Sequence, residues 1–380
     1  MNESHSSWYD VGMERSELLS RTGALSHQEA LMGEESMVAF QTPDEFLRDF
    51  TDAASHEDRR IVGQTMYFKS GGRVSDEMGR VLLDAAGRGV DVTWGVDHYI
   101  HDFPDTILKR TPRPFRRLVS QELAQRQEND AMFREFQENG IHTPFTRIGR
   151  FRSDLVPFAG RVHSKFDVVG DTSWVLEANL DDRDFSYLNG AMKFTDPAIA
   201  DALVDYASKI HNRESFDDYA VTIGDNYTFY ADAGKPGKSL IQKETAGMFQ
   251  GAKHDIYWST QFPPTGAARK ELLKKAKEGV QVHILASDDC KGDKLKEFAD
   301  NPNVHVSVYP GKVHAKSVGI DLDLEDGQEG NTEALFTSHN FHPAGVIGGT
   351  GEIAIRSNDQ AFTKPIKGFF ASAIAGSNAY

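Results

Sequence analysis

Only one cysteine, Cys290, occurs in 380 residues. An internal disulfide is excluded, and so is a cluster of thiolate metal ligands. A reducing compartment fits this usage, as does secretion without disulfides; the expected address is cytoplasmic. Apolar runs are short, and none reaches the ~18 residues that suggest a membrane-spanning helix. The opening stretch MNESHSSWYDVGMERSELL has neither the basic nor the apolar region of a secretory leader, so none is expected. Basic charge is scarce too. Lys and Arg number 42 against 57 Asp and Glu, a net charge of −15. That balance argues against broad non-specific binding to DNA or to anionic membrane, while leaving room for a small basic pocket.

Core-forming residues are plentiful. Hydrophobic residues make up 39% and aromatics 10%, enough for two ordinary domains or one large duplicated unit. Residues 1–40 are polar and read as an N-terminal arm with one or two short helices. From there a pattern sets in. TPDEFLRDFTDAASH predicts a helix, with Thr42 as cap, Pro43 in the first turn, and Phe46, Leu47 and Phe50 on one face. Residues 59–68 predict a strand, 75–89 a helix ended by Gly89, and 90–97 a strand.

The second half repeats this order. A helix from KETAGMFQGAKH is followed by a strand at 255–262, a helix at 268–279 and a strand at 280–288. AAGRGVDVTWGVD and KAKEGVQVHILASD both end a helix at Gly, start a Val-x-Val strand and close on Asp. Each half ends with a strand, an Asp step and a helix: AMKFTDPAIADALVDYASKI and EIAIRSNDQAFTKPIKGFFAS. The expected domains are 41–213 and 214–380, the first carrying an insert at about 98–150. Alternating strands and helices imply α/β architecture about a pseudo-twofold axis.

The strongest repeat is chemical. GRVHSKFDVVGD at 160–171 is matched by GKVHAKSVGID at 311–321. His314 and Lys316 lie two apart, so on a strand they face the same way. Asp321 follows, Ser338 and Asn340 share a face after the strand EALF, and Glu352 opens EIAIRS. The first copy supplies His163, Lys165 and Asn179. Polar groups in otherwise apolar segments should meet one another, because burying each alone is costly. Two imidazoles, two ammonium groups and two carboxamides suit a phosphodiester. Lysines neutralise the non-bridging oxygens and asparagines donate to them. One histidine attacks phosphorus and the other protonates the leaving oxygen. Neither a metal nor another cofactor is expected.

These residues resemble the phospholipase D superfamily, whose signature is His-x-Lys, four residues, Asp, then Gly-Ser-x-Asn, present twice. The second motif reads His314-Ala-Lys316 to Asp321, then Thr337-Ser338-His339-Asn340. The first reads His163-Ser-Lys165, then Leu176-Glu177-Ala178-Asn179. With LDDRDF, the layout is most similar to the bacterial cardiolipin synthase branch. The resemblance implies a duplicated phospholipase D-like fold: two α/β/α sandwich domains with the active site between them. It also implies catalytic roles for both His-x-Lys pairs, Asn179, Asn340, Asp321 and Glu352. Ser338, His339, Asn189 and Asp171 are candidate substrate contacts. Three departures stand out in the first motif. Gly170 occupies the Asp place with Asp171 one residue late, Leu176-Glu177 replaces Gly-Ser, and Asn189 stands where the second half has Glu352. The resemblance further implies that Glu352 crosses the axis to orient His163 as nucleophile. His314 is then the general acid, backed by Asn189; service of His314 by Glu352 is the alternative.

The expected reaction is phosphatidyl transfer or hydrolysis of a phospholipid through a phosphohistidine, with an alcohol or water as acceptor. A nuclease or other phosphodiesterase, and a weakened phosphate-binding member, are the alternatives; the acidic charge makes nucleic acid the lesser partner. Contact with membrane would be peripheral, through the basic cluster LKRTPRPFRRL at 108–118, which also reads as a plain surface turn. One chain holds both half-sites, so catalysis requires no dimer. Cys290 reads as a loop thiol. His98 and His101, beside Asp97 and Asp102, read as site rim or solvated surface before metal ligands. Tyr67, Phe68, Trp258 and Phe262 end equivalent strands, as an apolar wall of the site or as core.

Overall fold

The structure, a computed structural model, describes residues 38–98, 116–148, 160–263, 265–290, 293–323 and 330–380. Strand β1 (Val38–Gln41) leads into helix α1 (Pro43–His56). Thr42 Oγ1 accepts from Glu45 N while the Glu45 carboxylate accepts from Thr42 N, 2.8 Å away. This reciprocal cap and Pro43 fix where the helix starts. Its buried face is Phe46, Leu47, Phe50 and Ala54. β2 (Arg60–Thr65), α2 (Arg73–Gly87) and β3 (Asp91–Asp97) follow. Gly89, at φ 89°, takes the left-handed turn that releases the chain from α2. Then come α3 (Arg116–Glu138), β4 (Phe145–Thr146), β5 (Arg161–Val162), β6 (Phe166–Val169) and β7 (Thr172–Leu176). The short α4 (Asp182–Phe185), β8 (Ala191–Phe194) and α5 (Pro197–His211) complete the first half.

The second half opens with β9 (Tyr219–Ile223), β10 (Tyr227–Ala233), α6 (Leu240–Gly251), β11 (Asp255–Thr260) and α7 (Gly266–Lys277). It continues with β12 (Gln281–Ser287), α8 (Asp293–Ala299), β13 (Val304–Tyr309), β14 (Val318–Ile320) and β15 (Glu333–Thr337). α9 (Pro343–Gly348), β16 (Thr350–Ser357), α10 (Gln360–Ala375) and β17 (Asn378–Ala379) end it.

Two sheets result, and they repeat one topology. The first runs β1-β8-β7-β6-β2-β3-β4; the second contains β10-β16-β15-β14-β11-β12-β13, extended by β9 and β17 at its edges. β2, β3 and β4 are parallel, as are β11, β12 and β13, and every other pair in the repeated order is antiparallel. Helices α1, α2 and α3 cover the outer face of the first sheet, burying Trp94 and Trp174. Helices α6, α7 and α8 cover the second in the same way over Trp258. Between the sheets, α5 and α10 share a third core that takes residues from both halves, among them Phe166, Phe194, Phe336 and Phe369. Among the described residues, no helix is long and apolar enough to cross a membrane.

Some expectations change. Val38–Phe40, read as part of an arm, are strand, paired antiparallel with β8 from Val38↔Phe194. The sequence reading places no strand at β9, β10 or β13. β9 is mostly exposed and β10 reads YTFYADA; what makes β10 a strand is its full-length antiparallel ladder with β16, more than a hundred residues away. Phe68 and Trp258 are fully buried core. His98 is buried, with Nδ1 3.2 Å from Thr146 O. Residues 108–115 of the basic cluster, with His101 and Asp102, lie outside the described residues.

Candidate active site

Each His-x-Lys segment is fastened to the opposite half of the chain. β5 runs parallel to β16 with Val162 opposite Gly351, and both His163 N and Ser164 N donate to Gly351 O, at 2.8 and 3.1 Å. The other copy repeats this: Leu188 bridges Val313, and His314 N and Ala315 N donate to Leu188 O at 2.8 and 3.0 Å. The chain equivalences are therefore His163 with His314, Leu188 with Gly351, and Asn189 with Glu352. Buried backbone groups must find partners, and here the partners come from across the pseudo-axis. Both imidazoles line one cavity of about 370 Å³.

Around His163 the geometry is complete. Nδ1 lies 3.0 Å from Glu352 Oε2, a residue 189 positions away in the chain. Nε2 has Lys165 Nζ and Asn340 Nδ2 beside it, each at 3.4 Å. Both neighbours of Nε2 are donors and the neighbour of Nδ1 is an acceptor, so the proton belongs on Nδ1 and the lone pair on Nε2 faces the cavity. Glu352 is itself held: Ser338 Oγ donates to Oε2 at 2.5 Å and Thr350 Oγ1 to Oε1 at 3.0 Å. Burial, then the Lys165 and Lys316 charges, hold the His163 pKa well below the usual imidazole value. The neutral form therefore predominates, as a nucleophile requires.

The His314 side is built differently. Asn189 does not reach the imidazole; its Nδ2 donates to Asp184 O at 2.7 Å and Tyr187 O at 3.2 Å. The nearest carboxylate is Asp184, on α4, whose Oδ2 lies 4.0 Å from His314 Nδ1. That Nδ1 is buried without a hydrogen-bond partner. Asp184 Oδ2 instead accepts from Asn179 Nδ2 at 2.6 Å and Asn179 N at 3.1 Å.

Beneath the cavity both lysines are 1% exposed. Lys165 Nζ donates to His163 O at 2.9 Å, and Lys316 Nζ to His314 O at 2.5 Å. Burial lowers Lys165 to about 7 and Lys316 to about 8, with Lys316 adding to the effect on Lys165. Glu177 supplies counter-charge. It stands at the place of Ser338, yet serves the opposite lysine segment. Oε1 accepts from Lys316 N at 2.5 Å and Ser317 Oγ at 3.1 Å, and Oε2 accepts from Gly190 N at 3.0 Å. Burial raises its pKa to about 7. The first half has thus moved its acid from the Glu352 position to the Ser338 position, where it binds backbone and leaves the imidazole alone.

Two expected site residues sit away from the cavity. Asp321, at φ 49°, turns its carboxylate to Lys253 N, His254 N, Asp255 N and Asn331 N at 2.8–3.3 Å, fixing the start of β11. It is a backbone anchor. Asp171 is half exposed and pairs with Arg59 at 3.1 Å. The position equivalent to Asp321 is Gly170, φ 61°, and the anchor there is Glu57. Glu57 Oε1 accepts from Arg59 N at 2.8 Å and Arg60 N at 3.2 Å, at the start of β2. A Cβ on Gly170 would stand 2.3 Å from Glu57 Oε2, so the missing Asp and the present Glu are one exchange.

Asn179, Asn340 and His339 line the cavity, joined by Phe262 and His342. Ser338 lies behind Glu352. Asp184, Glu177 and Glu57 escape sequence reading, although LDDRDF marks the segment of the first. Among the described residues, Arg183 and the equivalent pair Arg161 and Lys312, the latter two each two residues before a histidine, complete the rim.

No protein-family model matches the sequence, and no curated protein sequence does. Solved structures do match. Phosphatidylserine synthase from Haemophilus influenzae Rd KW20 superposes with TM-score 0.65 at 12% identity, over 96% of this chain and 92% of that one. Polyphosphate kinase from Porphyromonas gingivalis gives 0.57 at 11% identity, over 90% of this chain and 52% of that one. Both neighbours belong to the phospholipase D superfamily. At such identities the likeness concerns architecture, and it agrees with the repeated sheets: the chain has the duplicated phospholipase D-like fold.

Proposed function

We propose that the protein transfers a phosphodiester-linked group, most simply a phosphatidyl group from a phospholipid, through a phosphohistidine on His163. The observation that carries this is the His163 imidazole itself. Its Nδ1 is held by Glu352 at 3.0 Å, its Nε2 has only the two long contacts of 3.4 Å from Lys165 Nζ and Asn340 Nδ2, and the ring lines a cavity that His314 also lines. Asn179 and Asn340 line the cavity where a phosphate would sit, and the buried Lys165 and Lys316 add positive charge behind the two histidines. Nε2 attacks phosphorus, the phosphorus–oxygen bond to the leaving alcohol breaks, and His314 gives that oxygen a proton. An incoming alcohol or water then returns the proton to His314 as it displaces His163. The ammonium groups and amides stabilise charge on the non-bridging oxygens. Met66, Phe262 and Phe341 give the lining some of the apolar character that a lipid donor uses. The likeness to phosphatidylserine synthase supports a lipid reading over a nucleic-acid one.

The test is turnover in EDTA on three substrates: phosphatidylglycerol vesicles, a choline phospholipid with and without a primary alcohol, and single-stranded DNA. Diphosphatidylglycerol from the first, or an alcohol-exchanged lipid from the second, is the expected result. Choline release indifferent to alcohol would make water the acceptor. Cleavage of DNA with no lipid turnover would overturn the lipid assignment.

A further inference from the structure

His314 stands poorly equipped for a general acid. Burial, then Lys316, Lys165, His163 and Lys312, hold its pKa well below the usual imidazole value. The Tyr187 ring packs edge-on against it, centroids 6.4 Å apart, and adds no charge. A general acid must carry a proton when the leaving oxygen needs one. An anion on the Nδ1 side would supply the missing stabilisation, as Glu352 does for His163. The equivalent of Glu352 is Asn189, which is neutral and turned to backbone carbonyls.

A carboxylate is nevertheless in reach. Asp184 is 4% exposed, lines the cavity and holds Oδ2 4.0 Å from His314 Nδ1. Two donors of Asn179 hold that oxygen: the side-chain Nδ2 at 2.6 Å, which can turn away, and the backbone N at 3.1 Å, which stays and acts as a pivot. Asn179 Nδ2 is also the donor that the phosphodiester reading gives to a phosphate oxygen. Asn179 Oδ1 is buried without a partner, so nothing on that side locks the amide in place.

We propose that Asp184 is the positioning carboxylate of His314, and that a phosphate ester in the cavity delivers it. Asn179 turns its Nδ2 from Asp184 to a phosphate oxygen. Asp184 Oδ2 then closes the remaining distance of about 1 Å and accepts from His314 Nδ1. His314 takes up a proton from solvent at Nε2 and becomes the imidazolium that the leaving group requires. One hydrogen bond is exchanged for another, and the one covalent change is the N–H bond formed at Nε2 with the proton that solvent gives up. The two histidines are thereby used in different ways. His163 is paired with its acid before substrate arrives; His314 is paired by substrate. The inference rests on the phosphodiester reading for the identity of the trigger, while the Asp184–His314 pairing stands on its own geometry.

The experiment is nitrogen-15 NMR of histidine-labelled protein, with the His163 and His314 rings assigned through His163→Asn and His314→Asn, titrated with inorganic phosphate. In the unsubstituted protein, phosphate should raise the apparent pKa of His314 and bring out a protonated Nδ1. Asp184→Asn should lose that response while His163 still answers to phosphate, which also shows an intact fold. Asn189→Ala should keep it. Asn179→Ala should raise the His314 pKa before any phosphate is added, because Asp184 Oδ2 then keeps only the weaker backbone donor, the N–H of residue 179 at 3.1 Å. A response that survives Asp184→Asn, or is lost in Asn189→Ala, overturns the proposal. If phosphate moves neither ring, the phosphodiester reading fails; Asn179→Ala, which needs no phosphate, still decides the pairing by raising the His314 pKa or leaving it unmoved.

Discussion

At the scale of single residues, the tautomer of His163 is decided outside the imidazole. Glu352 fixes Nδ1–H, and Ser338 and Thr350 fix Glu352. Glu352→Gln keeps the volume but can present an amide donor to Nδ1, favouring the wrong tautomer. We expect kcat to fall about 10²–10⁴-fold, read on whichever substrate the EDTA screen selects. His163→Asn should abolish covalent labelling by a phosphorus-32 substrate, whereas His314→Asn should still form the label from a donor with a good leaving group. Label on His163→Asn and none on His314→Asn would reverse the two roles. The lysines give a pH signature. Lys165 titrates at about 7 and Lys316 at about 8, both lowered from the ordinary value of 10.5. Their ammonium forms are the useful ones, so kcat/KM should fall as pH rises through 7–8. Bound phosphate favours the charged forms, so the same limb in kcat should lie higher. For stability the sign runs the other way. Between pH 7 and 10.5 the unfolded chain holds a Lys165 proton that the folded chain has released, so stability from this group increases with pH. Lys165→Met should therefore raise Tm most at pH 6, with the gain shrinking toward pH 10, while activity is lost throughout.

Among the elements, the starts of β2 and β11 show how one structural need is met by two side chains. Asp321 anchors β11 from the end of β14; Glu57 anchors β2 from the residue after α1. Asp321→Ala should cost about 1–3 kcal/mol, the order expected for buried backbone donors left without an acceptor, and Glu57→Ala should cost less, because Arg59 N lies at the surface where water can replace the carboxylate. Restoring the family spelling should fail alone. Gly170→Asp meets the tip of the Glu57 side chain, which must swing off Arg59 N and Arg60 N to make room, so the single substitution should destabilise about as much as losing Glu57. With Glu57→Ala in the same chain, the new carboxylate has room to take Arg59 N and Arg60 N. The double substitution should then cost less than the sum of the singles, read by urea denaturation. Simple additivity would show that the two positions are unrelated.

Much of this element order was legible beforehand, for a physical reason. Helices announce themselves through local caps and periodic faces, as at Thr42 and Phe46–Phe50, and the inner strands through short β-branched runs such as DVTWGVD. β9 and β10 were not legible, because their strand character comes from a partner at the far end of the chain. The reach of Glu352 to His163 was an implication of resemblance alone. Asp184 and Glu177 could not be read at all, since nothing in LDDRDF or LEAN says which imidazole or lysine will stand beside them.

For the whole molecule, the two halves share their innermost core. Phe40 of β1 packs against Phe336 of β15 at 6.1 Å and against Phe369 of α10 at 5.1 Å. Phe40→Ala should cost about 2–4 kcal/mol and weaken both halves together. Hydrogen exchange should report the same opening free energy for amides of β6 and of β14; separate values would mean that the halves unfold independently. The sequence by itself determined the repeated order of strands and helices, the two His-x-Lys segments and the buried, polar character of their surroundings. These depend on local pattern and composition. Only the tertiary structure decided that β5 would lie on β16 and that Val313 would lie on Leu188, so that each histidine is hung on the other half, and His163 meets Glu352 from it while His314 stands 4.0 Å from Asp184. That choice belongs to backbone hydrogen bonds between segments far apart in the chain, whose register is fixed when the two sheets close on a common core.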